Sequence, residues 1–268
     1  MKTAKTLLKV LLLATTLVLL GILWIYGQFP TDKEIRSCMV TTMYQVNLCP
    51  TEKNYAKLNQ VSQYMQKAVV LTEDSAFWQH NGFDFAELEK SFKTNLEKGK
   101  FARGGSTITQ QLAKNLFLSK EKTLSRKIKE AVITMRIEQV LTKKEILERY
   151  LNVVQFGKNL FGITEASRFY FSKHPSELDI VESAFLAFLL PSPEKYSKSF
   201  FKKELTPFAR KRLNQIIDRL FEFHKISESE YFTGKNKLSQ FLAGHKVEVE
   251  VPEEIELIDE ESVEVEDY

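Results

Sequence analysis

Apolar residues recur at helical spacing through the middle of the chain, from about residue 68 to residue 225. In one such run Leu88, Phe92 and Leu96 lie four residues apart, and Gly99 follows at the position where a helix would end. The alternation of apolar and polar residues that marks a half-buried strand is scarce in this region. The sequence therefore predicts a mainly α-helical domain whose loops carry the polar chemistry.

Two further helix starts are predicted from capping residues. Thr142, with Glu145 three residues later, has the spacing of a capping box. Ser176 is expected to start an apolar helix that Pro191 stops.

An uncharged stretch near the N-terminus predicts a membrane anchor. The seventeen residues from Val10 to Tyr26 carry no charge, which is close to the lower limit for a helix that crosses a bilayer core of about 30 Å. Lys2, Lys5 and Lys9 precede the stretch, so the positive-inside rule predicts a cytoplasmic N-terminus and an extracytoplasmic remainder. A cleaved signal peptide is the alternative, although no small residues form a cleavage site after the stretch.

The charge of the chain is divided unevenly between its body and its C-terminal end. Residues 246–268 hold eleven acids and one base, which leaves 37 bases and 24 acids, a net charge of +13, in residues 1–245. A body this basic requires an anionic partner, such as nucleic acid, an anionic membrane surface or a phosphorylated substrate. The acidic end is expected to be a disordered tail, although its alternating Val and Glu residues also fit an exposed strand.

Hydrophobic residues make up 43% of the 268 residues, enough for one ordinary globular domain with a sizeable core. Cys38 and Cys49 follow the predicted anchor, and in an oxidising compartment they would form a disulfide or remain as two unpaired thiols. The predicted segments are a cytoplasmic N-terminus (residues 1–9), the anchor (10–27), an entry segment (28–67), the helical domain (68–225) and a C-terminal extension with the acidic tail (226–268).

The segment from Glu73 to Gly82, with the sequence EDSAFWQHNG, is the first candidate for catalytic chemistry. Glu73 follows the apolar residues Val69, Val70 and Leu71. A carboxyl group in such surroundings has a raised pKa, which suits a general acid or base. A solvated helix end is the alternative interpretation of a lone glutamate.

A second candidate segment, residues 103–115, combines two glycines, adjacent hydroxyl groups, paired amides and a lysine. Thr107 and Gln110 have the spacing of a capping box, so the segment is expected to be a loop that leads into a helix N-terminus, where free backbone N–H groups favour an anion. Thr107, Gln111 and Lys114 are spaced about one helical turn apart and are expected to face one cleft.

A third segment is strongly basic and ends at one acid. Its five bases are Lys120, Lys122, Arg126, Lys127 and Lys129, and Glu130 follows the last of them. A solvated helix face is the usual meaning of such a run. The alternative is a site that neutralises a diphosphate leaving group, which an arginine can bind through two parallel hydrogen bonds.

In order and spacing, these segments resemble the motifs of the glycosyltransferase family 51 peptidoglycan polymerases. The matching segments are Glu73 to Gly82, Gly104 to Asn115, Arg126 to Glu130, Lys143 to Asn152 and, more loosely, Gly162 to Phe171 with Glu182 to Pro193. The chain looks like a monofunctional member of that family. The resemblance implies a helical, lysozyme-like domain with a smaller membrane-facing lobe, preceded by one N-terminal transmembrane helix.

The resemblance also implies a reaction and assigns residues to it. The reaction is polymerisation of lipid II into β-1,4-linked glycan strands, with inversion at the anomeric carbon and release of undecaprenyl diphosphate. Glu73 is assigned as the general base. Glu130 is assigned as the second carboxylate, for support of the leaving group or of a metal ion and for substrate positioning. Substrate and diphosphate contacts are assigned to Lys114, Arg126, Lys122, Thr107, Gln111, Ser106 and Asn115. Supporting roles are assigned to Asp74, Phe77, His80, Gly82 and Lys127. Lys122 stands where many members have arginine.

The implied partners are lipid II, the growing glycan chain, the cytoplasmic membrane and cell-wall synthesis or division proteins, without nucleic acid. The only implied cofactor is a divalent cation, Mg or Mn, and the metal requirement is left open. One hypothesis is that an apolar patch between Phe83 and Phe117 inserts into the membrane interface, and the alternative is that these are core residues. The alternatives are a glycan-cleaving lytic transglycosylase or muramidase and an inactive cell-wall scaffold.

Overall fold

The computed structural model describes residues 29–99 and 104–242, together with a few positions before residue 29. In this part of the chain, no helix is both long enough and apolar enough to cross a bilayer. The predicted anchor, residues 10–27, lies mostly outside the described residues. The predicted acidic tail, residues 246–268, lies wholly outside them.

The described chain is mainly helical, which confirms the mainly α-helical domain predicted from the periodicity. Its α-helices in chain order are α1 (Asp32–Arg36), α2 (Gln63–Glu73), α3 (Phe85–Lys98), α4 (Ile108–Phe117), α5 (Leu124–Val140), α6 (Lys143–Val153), α7 (Ile163–Phe171), α8 (Ile180–Leu189), α9 (Pro193–Tyr196), α10 (Lys198–Phe201), α11 (Pro207–Glu222) and α12 (Glu228–Ser239). Short 3₁₀ helices cover Leu58–Gln60 and Pro175–Glu177.

The described strands form two short antiparallel hairpins. In the first, β1 (Met39–Val40) pairs with β2 (Asn47–Leu48). In the second, β3 (Gln155–Gly157) pairs with β4 (Leu160–Phe161). Strands of two or three residues add little sheet, so helix packing determines the architecture.

Helix α8 lies at the centre of the fold, and all ten of its residues are buried. It packs against α2, α11 and α12. Apart from Glu182 and Ser183, its sequence, IVESAFLAFL, is apolar, as expected for a helix surrounded by others. The helix begins after Asp179, whose side chain accepts hydrogen bonds from the N–H groups of Val181 and Glu182. Ser176, the start expected from the sequence, lies in the preceding 3₁₀ turn.

The entry segment, residues 28–67, contributes to the hydrophobic core. Ile35, Leu48 and Val61 are each at most 4% exposed and belong to the core cluster. A disulfide joins Cys38 to Cys49, with their Cα atoms 4.4 Å apart, across the ends of the β1–β2 hairpin. The structure therefore selects the paired state of the two cysteines.

Helix α3 differs from the other long helices because Ser91 is its one buried residue. Its apolar side chains Phe85, Leu88, Phe92 and Leu96 are exposed, with 75% of the Phe85 surface open to solvent. These four residues are named the α3 stripe. They lie within the apolar patch predicted between Phe83 and Phe117. Phe117 itself is partly buried and packs against the core.

Candidate active site

Glu73 is the last residue of α2, and its side chain is partly buried. The side-chain amide of Gln111, on α4, donates a hydrogen bond from Nε2 to Glu73 Oε2 over 2.8 Å. Burial raises the pKa of Glu73 and the charge of Asp74 adds to this, whereas the Gln111 hydrogen bond and the charge of Lys114 act in the opposite direction. The net result is a raised pKa, as the sequence predicted for this carboxyl group.

The loop after Glu73 is held by Asp74. One carboxylate oxygen of Asp74 lies 2.8 Å from His80 Nε2, and the other accepts a hydrogen bond of 2.9 Å from the Ile108 backbone N–H. Burial raises the pKa of Asp74, against the opposing effect of these two hydrogen bonds. Phe77 is fully buried in the same loop. The loop is thus tied to the N-terminus of α4.

Gly82 closes this loop in a conformation that favours glycine. Its φ is +92°, and a Cβ atom at this position would lie 2.8 Å from Thr134 Cγ2. Its carbonyl oxygen accepts a hydrogen bond of 2.7 Å from the Thr107 hydroxyl. A side chain at position 82 would therefore disturb both the backbone and the packing against α5.

The predicted capping box at the start of α4 is present, because the Thr107 side chain and Gln110 cap each other's backbone N–H groups. Thr107 is only 2% exposed, since its hydroxyl is used inside the protein. The Thr107 hydroxyl is thus engaged by the Gly82 carbonyl oxygen, and its place in one cleft with Gln111 and Lys114 stays a prediction. Asn115, farther along α4, is also buried, whereas Ser106 before the helix is exposed.

Glu130 lies on α5 and is 2% exposed. Its carboxylate pairs with Arg126, whose Nη1 lies 3.1 Å from Oε2, and with Lys127 through the other oxygen. Within the described chain, the buried Nε of Arg126 has no hydrogen-bond partner. A buried cationic donor without a partner suits an anionic ligand.

Lys114 connects the two carboxylates electrostatically. Burial lowers its pKa, and the charges of Arg126 and Lys127 add to this, whereas the charges of Glu130 and Glu73 act in the opposite direction. Lys114 therefore lies close enough to both carboxylates to interact with them. Lys122, the other predicted lysine contact, is exposed on the loop between α4 and α5.

Tyr150 is a neighbour of the site to which the sequence assigned no role. It lies on α6, is fully buried, and its hydroxyl donates a hydrogen bond of 3.1 Å to Gln111 Oε1. The residue falls inside one of the matching segments, Lys143 to Asn152. No local pattern could reveal its contact with Gln111, because the two residues are 39 positions apart.

The side chains do not fit a metal cage built by the protein alone. Among the described residues, no group of three or more His, Cys, Asp or Glu side chains could hold a metal ion. Glu130, the carboxylate considered for metal support, already pairs with Arg126 and Lys127.

Sequence comparisons identify the family of the chain. The family model described as Transglycosylase matches residues 40–221. A biosynthetic peptidoglycan transglycosylase of Nitrosomonas eutropha is 40% identical over 215 residues, 80% of this chain and 86% of that protein. A second, from Nitrosospira multiformis, is 36% identical over 74% of this chain and 87% of its own length. Penicillin-binding protein 1A of Aquifex aeolicus is 39% identical over 68% of this chain but only 25% of that protein. The chain belongs to the transglycosylase family.

Proposed function

We propose that this chain is a peptidoglycan glycosyltransferase that polymerises lipid II into β-1,4-linked glycan strands and releases undecaprenyl diphosphate. The observation that carries the proposal is the pairing of a partly buried carboxyl group, Glu73, with a cationic cluster around Glu130. An enzyme that forms a glycosidic bond from a diphosphate-linked donor needs a base for the acceptor and positive charge for the leaving group. The family and the names of the relatives support the same reaction.

Glu73 acts as the general base in this proposal. Its carboxylate takes the proton from the 4-hydroxyl of the acceptor GlcNAc while that oxygen attacks the anomeric carbon of the growing chain. The bond from the anomeric carbon to the diphosphate oxygen breaks, and its electron pair leaves with the diphosphate. One displacement inverts the α-linked donor to a β-linked product. A raised pKa brings the base closer to the operating pH, which favours proton transfer.

Lys114 and Arg126 stabilise the leaving diphosphate in this scheme. Lys114 supplies a point charge near both carboxylates, and the Nε of Arg126 supplies a donor that no described side chain uses. Glu130 holds the Arg126 guanidinium in place through its ion pair. These cations are worth more in a partly buried site than in water, because fewer solvent dipoles screen them.

The membrane setting of the reaction is part of the proposal. The substrate is carried on a long lipid, so the site must work next to a bilayer. The α3 stripe exposes Phe85, Phe92 and Leu96 on a helix that buries almost nothing, which suits insertion into the membrane interface. A lysozyme-like body, a membrane-facing lobe around α3 and an N-terminal anchor over residues 10–27 complete the single-pass arrangement. In this arrangement the catalytic domain is extracytoplasmic.

Conversion of labelled lipid II by the full chain in detergent tests the proposal. The parent protein should form polymer, and Glu73→Gln, which keeps the shape but cannot accept the proton, should lower the rate by at least about a hundredfold. Glu204→Gln is the matched control because Glu204 is an exposed glutamate outside the site, and its rate should equal that of the parent.

Two outcomes would count against the proposal. Polymer formation by Glu73→Gln at the parental rate would remove Glu73 as the base. Cleavage of purified cell wall by the parent, with no polymer from lipid II, would favour a glycan-cleaving enzyme instead.

A further inference from the structure

Three side chains from three helices form a continuous hydrogen-bonded chain that ends at the candidate base. The Tyr150 hydroxyl of α6 donates to Gln111 Oε1 of α4 over 3.1 Å. The Gln111 amide nitrogen then donates to Glu73 Oε2 of α2 over 2.8 Å. Tyr150 is fully buried, so water does not compete for its hydroxyl. The order of donors and acceptors along this chain determines which end of the amide faces the carboxylate.

A glutamine amide can present either its oxygen or its nitrogen to a neighbour. Tyr150 decides between the two, because its hydroxyl proton needs an acceptor and the amide oxygen is the acceptor beside it. Burial and the charges of Glu73 and Asp74 raise the pKa of Tyr150 well above its ordinary value. The phenol therefore keeps its proton and remains a donor at every pH at which the enzyme would work.

We propose that Tyr150 is a positioning residue which, by orienting the Gln111 amide, keeps Glu73 in the carboxylate form that accepts the substrate proton. The inference rests on the proposed function of Glu73 as the general base. If the amide turned around, its oxygen would face the carboxylate and the two acceptors would repel each other unless Glu73 bound a proton. Tyr150 disfavours that arrangement because its own hydroxyl would lose its acceptor.

The other charged groups around Glu73 do not duplicate this effect. Lys114 of α4 favours the carboxylate, whereas Asp74 in the adjoining loop disfavours it. Tyr150 of α6 faces the same pair of carboxyl groups but carries no charge of its own. The Gln111 hydrogen bond is thus the contact that offsets burial without bringing a further charge into the site.

Tyr150→Phe tests the proposal because it removes one hydroxyl and preserves the ring. The pH dependence of kcat/KM is measured for the full chain in detergent with labelled lipid II. The acid limb should move to higher pH, and kcat/KM on that limb should fall about two- to tenfold, as expected for one hydrogen bond. At higher pH, kcat/KM should return to the parental value. A purely structural role would instead lower the whole profile and leave the limb in place.

Tyr170→Phe is the matched control. Tyr170 is also buried, at 1% exposure, and its hydroxyl donates 2.8 Å to the Phe156 carbonyl oxygen, away from Glu73. The acid limb of the Tyr170→Phe profile should match that of the parent. A second comparison uses Gln111→Leu, which removes the amide that links the Tyr150 hydroxyl to Glu73. Adding Tyr150→Phe to Gln111→Leu should move the limb no further, because Tyr150 acts through the amide.

A readout that does not need turnover separates this inference from the proposed function. In protein labelled with ¹³C at glutamate carboxyl carbons, the Glu73 signal is the one missing from Glu73→Gln, and its titration reports the pKa directly. Tyr150→Phe should raise that pKa even if the parent forms no polymer. The inference is overturned if the Glu73 titration and the acid limb stay in place in Tyr150→Phe. It is also overturned if Tyr150→Phe shifts the Glu73 titration and the acid limb as far in the Gln111→Leu background as it does in the parent.

Discussion

Burial shifts the pKa values of Glu73 and Lys114 in opposite directions, because it disfavours the charged form of each residue. The pKa of Glu73 is raised and that of Lys114 is lowered, in both cases mainly by burial. The proposed reaction needs Glu73 deprotonated and Lys114 protonated. Activity should therefore be lost on acidification as Glu73 binds its proton and on alkalinisation as Lys114 loses its own. The bell-shaped pH profile of kcat/KM should therefore be narrower than ordinary glutamate and lysine pKa values would produce.

Lys114→Arg should widen the pH profile of kcat/KM on its alkaline side only. Arginine keeps its charge far above the pH at which a buried lysine loses it, so the alkaline limb should move to higher pH while the acid limb stays. The measurement is the pH profile of kcat/KM for lipid II conversion. Lys129→Arg, at an exposed lysine on the same basic stretch, is the control and should leave both limbs unchanged. An alkaline limb that does not move in Lys114→Arg would assign that ionisation to another group.

Among the elements, the helix starts show how far local sequence determines structure. The capping boxes predicted at Thr107 and Thr142 both form. At the start of α8, however, Asp179 caps the helix, whereas the sequence favoured Ser176. Both residues are good N-caps, and the 3₁₀ turn that packs Pro175 into the protein decides between them.

Helix α12 is held at its N-terminus by Glu230, which caps the helix together with Ser227 and accepts a hydrogen bond from the Tyr64 hydroxyl of α2. These contacts lower the pKa of Glu230 to about 2, with the Tyr64 hydrogen bond as the largest cause. A carboxyl group with a lowered pKa stabilises the fold above its ordinary value of 4.5, and this contribution is lost as the pH falls towards 2.

Glu230→Gln should therefore destabilise the protein at pH 7 and have almost no effect well below pH 2, where the Glu230 carboxyl group is protonated in both the folded and the unfolded state. The glutamine keeps a capping side chain but loses the charge, and because the pair lies near solvent the loss is about 1 kcal/mol. Denaturant unfolding at several pH values measures the difference. Glu228→Gln, in the same first turn, removes an equal charge without a Tyr64 contact and should cost less at pH 7. A Glu230→Gln effect that is independent of pH would show that the charge is not involved.

On the scale of the whole molecule, the α3 stripe lies on a helix that the core does not cover. Every other helix of nine or more residues in the described chain buries at least two residues, whereas α3 buries Ser91 alone. Its amphipathic sequence still forms a helix, with Asp84 as its N-cap and Gly99 in the left-handed conformation at its C-cap. An exposed apolar helix beside a basic body fits a partner that is both apolar and anionic, as a bacterial membrane surface is.

Flotation with vesicles of phosphatidylethanolamine and phosphatidylglycerol tests this surface in a variant that begins at residue 28. The variant should float with the vesicles, and Phe85→Ser with Phe92→Ser should reduce binding at least about tenfold through lost apolar burial. The control pair, Phe223→Ser with Phe232→Ser, removes two phenylalanines of comparable exposure outside α3. Equal loss of binding in both pairs would remove the special role of α3.

The sequence by itself determined the properties that depend on local pattern and motif order. Helical periodicity indicated the fold class, the Thr142 capping box predicted the start of α6, and the ordered motifs identified the family and its reaction. The structure and the comparisons confirm these predictions. The catalytic roles of Glu73 and Glu130 remain predictions, although the structure gives Glu73 the raised pKa that its role requires.

Only the tertiary structure decided which side chains meet and which are buried. Gln111 reaches Glu73 across 38 positions and Tyr150 reaches Gln111 across 39, distances over which no sequence periodicity carries information. Thr107 is buried because its hydroxyl donates a hydrogen bond to the carbonyl oxygen of Gly82, which lies in the loop after Glu73. The apolar stripe of α3 is exposed because, within the described residues, no other element covers it, although its periodicity equals that of buried helices. The burial of a side chain depends on which elements pack against it, and this packing is set by the tertiary structure of the whole domain.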